Sequence, residues 1–263
     1  MSIDVAIGSI GSSVLAVKAL EVKMPVMYWL ILPLCVWLIY TSDHLLDAIK
    51  VKDRASMGRH YFHFVYMKTI GICLVLIGIV SSLLIYNYLD LWTVVFGFSV
   101  GLLIVTYLLV NHFFSWIFRY FPREFFIAAG YIAGTWGLPL LTKYPYISRS
   151  EAMLFAGNFL IILSIPLLYS IYEYDADKLA GFVSFASGYG IKITQFLVAG
   201  LLTMSAILSV WTVLFLQHSI GIVMLIMAMI LFAVLFFRKQ LSKNEQYRSF
   251  ADSITLLPFL LLI

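Results

Sequence analysis

Long apolar segments recur along the whole chain, separated by short polar stretches. Nine of them come to about the 20 residues that a helix needs to cross a hydrocarbon core of about 30 Å. They cover residues 3–20, 25–42, 68–88, 91–114, 124–142, 151–172, 191–212, 214–237 and 246–263. The runs are continuous and lack the period-two alternation of membrane β-strands. The pattern therefore predicts an all-α integral membrane protein with about nine transmembrane helices, folded as a single domain over residues 1–263.

The first predicted span differs from the others in its small residues. It contains the run IGSIGSS and is interrupted by Lys18. Glycine and serine are enriched where membrane helices approach each other closely. This run is therefore expected to be a packing face, not a binding site.

The composition agrees with a membrane protein. Hydrophobic residues make up 63% of the 263 residues and charged residues 11%, whereas soluble domains carry about 25% charged residues. The net charge of +4 does not indicate a nucleic-acid partner, because the basic residues are spread over many loops.

Basic residues are distributed unevenly between the two predicted sides of the membrane. With nine spans, the loops after spans 2, 4, 6 and 8 share one side. Of the 17 lysine and arginine residues, all fall on that side except Lys18, Lys23, Lys143 and Arg149. Cytoplasmic loops carry the excess of positive charge in membrane proteins, so the loops after the even-numbered spans are predicted to be cytoplasmic.

Two acidic pairs follow spans 2 and 6 on this predicted cytoplasmic side. Asp43 and Asp47 lie in YTSDHLLDA, and Glu173 and Asp177 lie in YEYDADKLAG. The members of each pair share a helix face, where like charges destabilise an isolated helix by about 0.2–0.5 kcal/mol. Carboxylate oxygens are the ligands that Mg²⁺ takes together with substrate phosphates. We therefore expect the two pairs to hold Mg²⁺ and, through it, a diphosphate. The alternative is that these acids simply lie at hydrated helix ends and form no site.

The second acidic stretch resembles a motif of the UbiA superfamily of intramembrane prenyltransferases. The segment EYDADKLAG is similar to the family pattern D-Y-x-x-D-x-x-x-G, with Glu173 and Asp177 in the acidic positions and Gly181 at the end. The resemblance implies nine transmembrane helices around a central cavity, with acidic motifs after helices 2 and 6.

The first acidic stretch departs from the family pattern N-D-x-x-D-x-x-x-D. Asp43 and Asp47 match its last two acids, while Ile39 and Tyr40 stand where the family has Asn and Asp. Asp53 would replace the missing acid only if its loop folds back. The departure would weaken metal binding, shift the substrate, or mark a member that no longer catalyses.

The resemblance implies a Mg²⁺-dependent prenyltransferase. Mg²⁺ and basic side chains would place positive charge beside the diphosphate leaving group. This charge favours ionisation of the prenyl diphosphate to an allylic cation, which a lipophilic acceptor then attacks. Asp43, Asp47 and Asp177 would be the catalytic residues, and together with Glu173 they would bind the metal.

The residues expected to bind the substrate are basic or aromatic. Guanidinium groups bind phosphate in a bidentate manner, and aromatic faces stabilise a cation. Ordinary positive charge at the membrane surface and aromatic packing are the alternative interpretations. The candidates are Arg54, Arg59, Arg119, Arg123, Lys178, Tyr40 and Tyr172.

The expected partners are a prenyl diphosphate, a lipophilic acceptor (an aromatic ring in our preferred interpretation) and membrane lipids, with no nucleic acid. Two other functions stay open. A terpene cyclase with the same site would need no acceptor, and the degenerate first motif would also permit a non-catalytic lipid-binding or transport protein. Metal-dependent release of diphosphate would separate the enzymes from the last class.

Overall fold

The computed structural model describes residues 3–51, 58–114 and 122–263, and the side chains of all of these except residues 50, 51, 58–61, 180 and 244. The described residues form helices and no strand. In chain order the α-helices are α1 (Ile3–Leu20), α2 (Tyr28–Val51), α3 (Gly58–Val65), α4 (Met67–Tyr88), α5 (Leu91–Phe113), α6 (Arg123–Lys143), α7 (Arg149–Tyr172), α8 (Tyr174–Ala180), α9 (Phe185–Tyr189), α10 (Ile191–Phe215), α11 (His218–Phe236), α12 (Arg238–Leu241) and α13 (Gln246–Ser253).

Eight of these helices, α1, α2, α4, α5, α6, α7, α10 and α11, are long and apolar enough to cross a membrane. The ninth predicted span consists of α13 followed by a 3₁₀ helix over Ile254–Leu262. An α-helix rises about 1.5 Å per residue and a 3₁₀ helix about 2.0 Å, so the two together extend about 30 Å. The predicted all-α, multi-pass membrane fold with about nine spans is confirmed.

The first helix packs against several others at the centre of the bundle. It contacts α2, α6 and the C-terminal segment, by which we mean residues 246–262. A Cβ atom on Gly8 would lie 2.1 Å from Oγ1 of Thr255, and one on Gly11 would lie 2.0 Å from the backbone oxygen of Thr255. Ser13 donates a hydrogen bond to the carbonyl oxygen of Thr135 on α6 at 2.9 Å. The small residues of α1 therefore form a packing face, as predicted.

The fourth and fifth helices lie at the periphery. Only 6% of the residues in the most apolar stretch of each are buried, as expected for helices that face lipid. Asp90 caps α5, because its carboxylate accepts hydrogen bonds from the backbone N–H and the hydroxyl of Thr93 at 3.0 and 2.6 Å. These hydrogen bonds lower the pKa of the Asp90 carboxyl below its ordinary value.

The hydrophobic core lies where α6, α7, α10 and α11 meet. Trp136, Ile161, Leu202 and Met227 are fully buried there. This packing fixes the position of α7, whose end carries the second acidic stretch.

Candidate active site

The second acidic stretch folds as a short helix attached to the end of α7. Glu173 lies between α7 and α8, and its carbonyl oxygen accepts a hydrogen bond from the backbone N–H of Asp177 at 2.7 Å. The helix α8 ends at Gly181, which has a φ of 72°. Glycine adopts this left-handed conformation without the steric cost that a Cβ atom brings. The final glycine of the motif therefore serves to end the helix that carries Asp177.

Asp177 forms an ion pair with Arg123 at the start of α6. Nη2 of Arg123 lies 3.2 Å from Oδ2 of Asp177, and the side chains are 16% and 6% exposed. The guanidinium carbon also lies 5.8 Å from the ring centroid of Phe182. It interacts electrostatically with Asp47 of α2 as well. Arg123 therefore pairs with the second acidic stretch and lies within electrostatic range of Asp47 in the first.

Glu173 is bound by the C-terminal segment. Its Oε1 accepts hydrogen bonds from the hydroxyl of Tyr247 at 2.9 Å and from Nη2 of Arg248. The guanidinium of Arg248 lies 4.7 Å from the ring centroid of Tyr169, whose hydroxyl donates a hydrogen bond to Asp252. This network joins the end of α7 to α13.

The first acidic stretch lies near the end of α2. Asp43 and Asp47 are both half-buried, and both interact electrostatically with Tyr107 of α5. Tyr107 in turn interacts with Arg123. The structure therefore brings the two predicted acidic pairs to the same end of the bundle.

The two predicted tyrosines have different surroundings. Tyr40 is half-buried, packs against the buried face of α2 and interacts electrostatically with Asp43 and Asp252. Tyr172 donates a hydrogen bond to the carbonyl oxygen of Val234 at 2.5 Å and stacks on Tyr247 with ring centroids 4.1 Å apart. Tyr40 therefore lies within electrostatic range of the first acidic stretch, whereas Tyr172 links α7 to α11 and α13.

The predicted basic residues are only partly brought to the site. Lys178 is exposed, and its Nζ lies 4.4 Å from the ring centroid of Tyr174. Arg54 and Arg119 lie outside the described residues. The side chain of Arg59 is also outside the description, although the helix that carries it, α3, packs against α2.

Two residues of this region were not singled out from the sequence. Arg248 was counted only as a loop charge, although its spacing of four from Asp252 would place both on one helix face. Glu124 is 1% exposed and accepts a hydrogen bond from the backbone N–H of Phe185 at 2.8 Å. It also lies 3.9 Å from Nε of Arg123. No sequence signal distinguishes Glu124 from other acids at helix starts.

The partners of the acidic side chains decide how well each carboxylate could bind a metal ion. In the part of the chain that the structure describes, no three His, Cys, Asp or Glu side chains are grouped to hold a metal. Glu173 and Asp177 each have an arginine within ion-pair distance, and breaking a buried pair by removing one partner costs about 3–5 kcal/mol. Glu173 and Asp177 therefore fit a metal ion poorly. The half-buried Asp43 and Asp47 offer the oxygen ligands that Mg²⁺ prefers.

Comparison with known proteins identifies the architecture. No protein-family model and no curated protein matches the chain. The backbone is similar to the apo structure of a UbiA homolog from Aeropyrum pernix K1, with a TM-score of 0.66 over 99% of this chain and 97% of that one, at 12% identity. The chain has the UbiA fold. A digeranylgeranylglyceryl phosphate synthase is also similar, with a TM-score of 0.48 over 97% of this chain and 88% of that one, at 15% identity.

The resemblance to the UbiA superfamily, which the second motif indicated, is confirmed for the fold of the chain. Within it, the two acidic stretches lie at the ends of α2 and α7, which are the second and sixth membrane spans. The residues that match the motifs therefore stand at the predicted places in the fold.

Proposed function

We propose that the protein is an intramembrane prenyltransferase, which transfers a prenyl group from a prenyl diphosphate to a lipophilic acceptor, an aromatic ring in our preferred version. The observation that supports this most strongly is the ion pair of Arg123 with Asp177, within electrostatic range of Asp47, at one end of an apolar helix bundle with the UbiA fold. A prenyl diphosphate has the matching distribution of polarity, with a charged group at one end and an apolar chain behind it.

Arg123 would bind the diphosphate. Guanidinium groups bind phosphate oxygens in a bidentate manner, and Asp177 fixes the orientation of this one through the ion pair at 3.2 Å. When the bond between the prenyl carbon and the diphosphate oxygen breaks, its electron pair leaves with the diphosphate. The preorganised positive charge of Arg123 would stabilise the leaving group in that transition state.

The acceptor would then attack the allylic cation and lose a proton. Tyr40 lies three residues before Asp43 on α2, and its aromatic face would stabilise the cation until the acceptor reaches it. A divalent ion such as Mg²⁺, held by Asp43 and Asp47, would add positive charge to the leaving group. The excess of basic residues on the even-numbered loops supports a site that opens to the cytoplasm.

The test of this function is product formation by the purified full chain. We expect incubation with prenyl diphosphates of several lengths, Mg²⁺ and aromatic or lipid acceptors to release diphosphate and to give a prenylated acceptor in mass spectrometry. Arg123→Gln and Asp177→Asn should each lower the rate by about 10²–10³, the usual effect of removing one positioned group that stabilises developing charge.

Asp175→Asn is the matched control, because Asp175 lies on the same short helix as Asp177 but is exposed. It should keep the rate of the unchanged protein. A product with the carbon number of the prenyl chain alone would identify a cyclase instead. If no prenyl diphosphate releases diphosphate above the protein-free rate, the protein is not a prenyltransferase.

A further inference from the structure

The connection between α11 and α13 begins with two aromatic side chains and continues with basic ones. Phe236 and Phe237 are 81% and 55% exposed. In the part of the chain that the structure describes, no carboxylate lies within ion-pair distance of Arg238, Lys239 or Lys243. We call these five residues the basic patch, and we propose that it binds the headgroup of an anionic phospholipid at the membrane surface.

Arg238 differs from an ordinary loop charge because the end of α7 holds it in place. Its Nη2 donates a hydrogen bond to the carbonyl oxygen of Ile171 at 3.0 Å. The last carbonyl groups of a helix lack partners within the helix, and the helix dipole favours a cation beside them. The other N–H donors of Arg238 form no hydrogen bond with the described residues. One donor therefore orients the guanidinium, and the others remain available to an anion.

The charges around the basic patch favour an anion. Glu245 is the one acidic residue in the segment 236–248, and Glu173 lies at the end of α7. Both acids are within ion-pair distance of Arg248, which compensates part of their charge. With these three residues included, Arg238, Lys239, Lys243 and Arg248 outnumber the two acids. The region is therefore positively charged when all of its described ionisable partners are counted.

The position of the basic patch fits a lipid headgroup. Phe236 is the last residue of α11, which is long and apolar enough to cross a membrane, so the patch begins where hydrocarbon meets water. Aromatic side chains are enriched at this level, and basic side chains there attract the anionic lipids of the cytoplasmic leaflet. The loop after α11 is predicted to lie on that side. A phosphodiester offers the paired oxygen atoms that a guanidinium binds.

The hydrogen bond to Ile171 would connect a bound lipid to the candidate active site. Ile171 lies in the last turn of α7, just before Glu173. A headgroup held by Arg238 would therefore fix both the guanidinium and the helix end that this guanidinium contacts. The binding itself does not depend on the proposed function, because it involves neither a prenyl diphosphate nor a metal ion.

The experiment is a titration of the full-length, detergent-solubilised protein with phosphatidylglycerol, followed by native mass spectrometry. Phosphatidylcholine with the same acyl chains is the comparison, because its headgroup contains a phosphate but has no net charge. We expect phosphatidylglycerol to bind at least about tenfold more tightly, since each basic side chain near the surface contributes to the attraction. Inorganic phosphate in excess should not displace it, because a free anion lacks the acyl chains.

Variants of the basic patch should weaken this binding. Arg238→Gln should lower the affinity for phosphatidylglycerol about fivefold, which corresponds to about 1 kcal/mol for one charge. Lys239→Gln combined with Lys243→Gln should lower it further. Lys68→Gln is the matched control and should keep the affinity. Lys68 is also an exposed lysine, but it lies at the start of α4, which packs against α2 and α3.

Hydrogen exchange measures the connection to α7. With phosphatidylglycerol bound, the backbone amides of residues 168–175 should exchange more slowly than with phosphatidylcholine. Arg238→Gln should remove this difference, whereas Lys68→Gln should leave it. The same exchange rate with both lipids would contradict the role of Arg238 as the contact between the headgroup and α7.

Equal affinity for the two lipids would overturn the proposal, and so would an equal loss in Lys68→Gln. Displacement of the lipid by inorganic phosphate would identify a site for a free anion instead. If Arg238→Gln does not fold, the double lysine variant still decides the matter, because neither Lys239 nor Lys243 has a hydrogen bond to α7. An unchanged affinity in that variant would also overturn the proposal.

Discussion

At the scale of single residues, one buried amide stands out in the membrane interior. Asn158 on α7 is 0% exposed, and neither its side-chain nitrogen nor its oxygen has a hydrogen-bond partner among the described residues. A buried polar group without a partner costs about 1–3 kcal/mol. Leucine is also large enough to fill this site, and its side chain has no polar group that needs a hydrogen-bond partner.

We therefore expect Asn158→Leu to raise the free energy of unfolding in detergent by about 1–3 kcal/mol, seen as a higher Tm in a thermal-unfolding assay. Ser164→Ala on the same helix is the control, because Ser164 is also 0% exposed but donates a hydrogen bond to the carbonyl oxygen of Leu160. It should bring no gain. A lower Tm for Asn158→Leu would mean that a bound water or lipid satisfies the amide.

The sequence predicted where the candidate acids lie more readily than what they contact. Asp43 and Asp47 lie on one helix, far along the chain from Asp177, yet the spacing of the two motifs sufficed to place them at one end of the bundle. The pairing of Glu173 with Arg248 was not predictable in the same way. It depends on the packing of α13 against α7, and no local pattern encodes that contact.

At the scale of helices, the close contact between α1 and the C-terminal segment depends on two glycines. A Cβ atom on Gly11 would meet a backbone oxygen of Thr255 at 2.0 Å, whereas one on Gly8 would meet the Thr255 side chain at 2.1 Å. A side chain can be shortened by mutation, but a backbone oxygen moves only if its helix moves. The two positions should therefore respond differently to substitution.

Gly11→Ala should lower the free energy of unfolding by about 1–3 kcal/mol, the usual cost of overpacking. Gly8→Ala should also destabilise, and Thr255→Ala should restore most of that loss. Gly134→Ala on α6 is the control, because nothing lies within 4 Å of its Cβ position, and it should be neutral or stabilising through helix propensity. Equal losses for all three glycines would show that close packing is not the cause.

Comparison of the predicted spans with the helices shows where hydropathy locates the ends of a helix and where it does not. The predicted spans 3–20, 68–88 and 91–114 agree closely with α1, α4 and α5, because their apolar residues end where the helices end. The predicted span 25–42 stops short, since α2 continues to Val51 through the acidic stretch. Hydropathy marks the edge of the hydrocarbon, whereas a helix can continue into the polar interface. For the same reason α8 and α9 were not predicted.

At the scale of the whole molecule, the predicted orientation in the membrane rests only on the distribution of lysine and arginine residues between the loops. Two membrane spans, α10 and α11, separate Lys178 from Lys239, and one span, α7, separates Lys178 from Tyr146. All three residues are exposed. Their positions therefore report on both the number of spans and the orientation.

In a background without Cys35 and Cys73, single cysteines at positions 178 and 239 should react with a membrane-impermeant maleimide only from the cytoplasmic side. A cysteine at position 146 should react only from the opposite side, because positively charged loops are retained in the cytoplasm. Labelling of positions 178 and 239 from different sides would contradict the helix count. Labelling of both from outside would reverse the orientation.

The packing of α1 against the C-terminal segment has a consequence for biosynthesis. Gly11 contacts Thr255, which the ribosome adds long after α1 has been made. At about 5–20 residues per second, the intervening chain takes roughly 10–50 s to synthesise. During this time the small-residue face of α1 must be shielded by lipid, by α2 and α6, or by the insertion machinery. The bundle can close only when residues 246–262 arrive, and the same event brings Arg248 to Glu173, so this part of the candidate site is completed after most of the protein has entered the membrane.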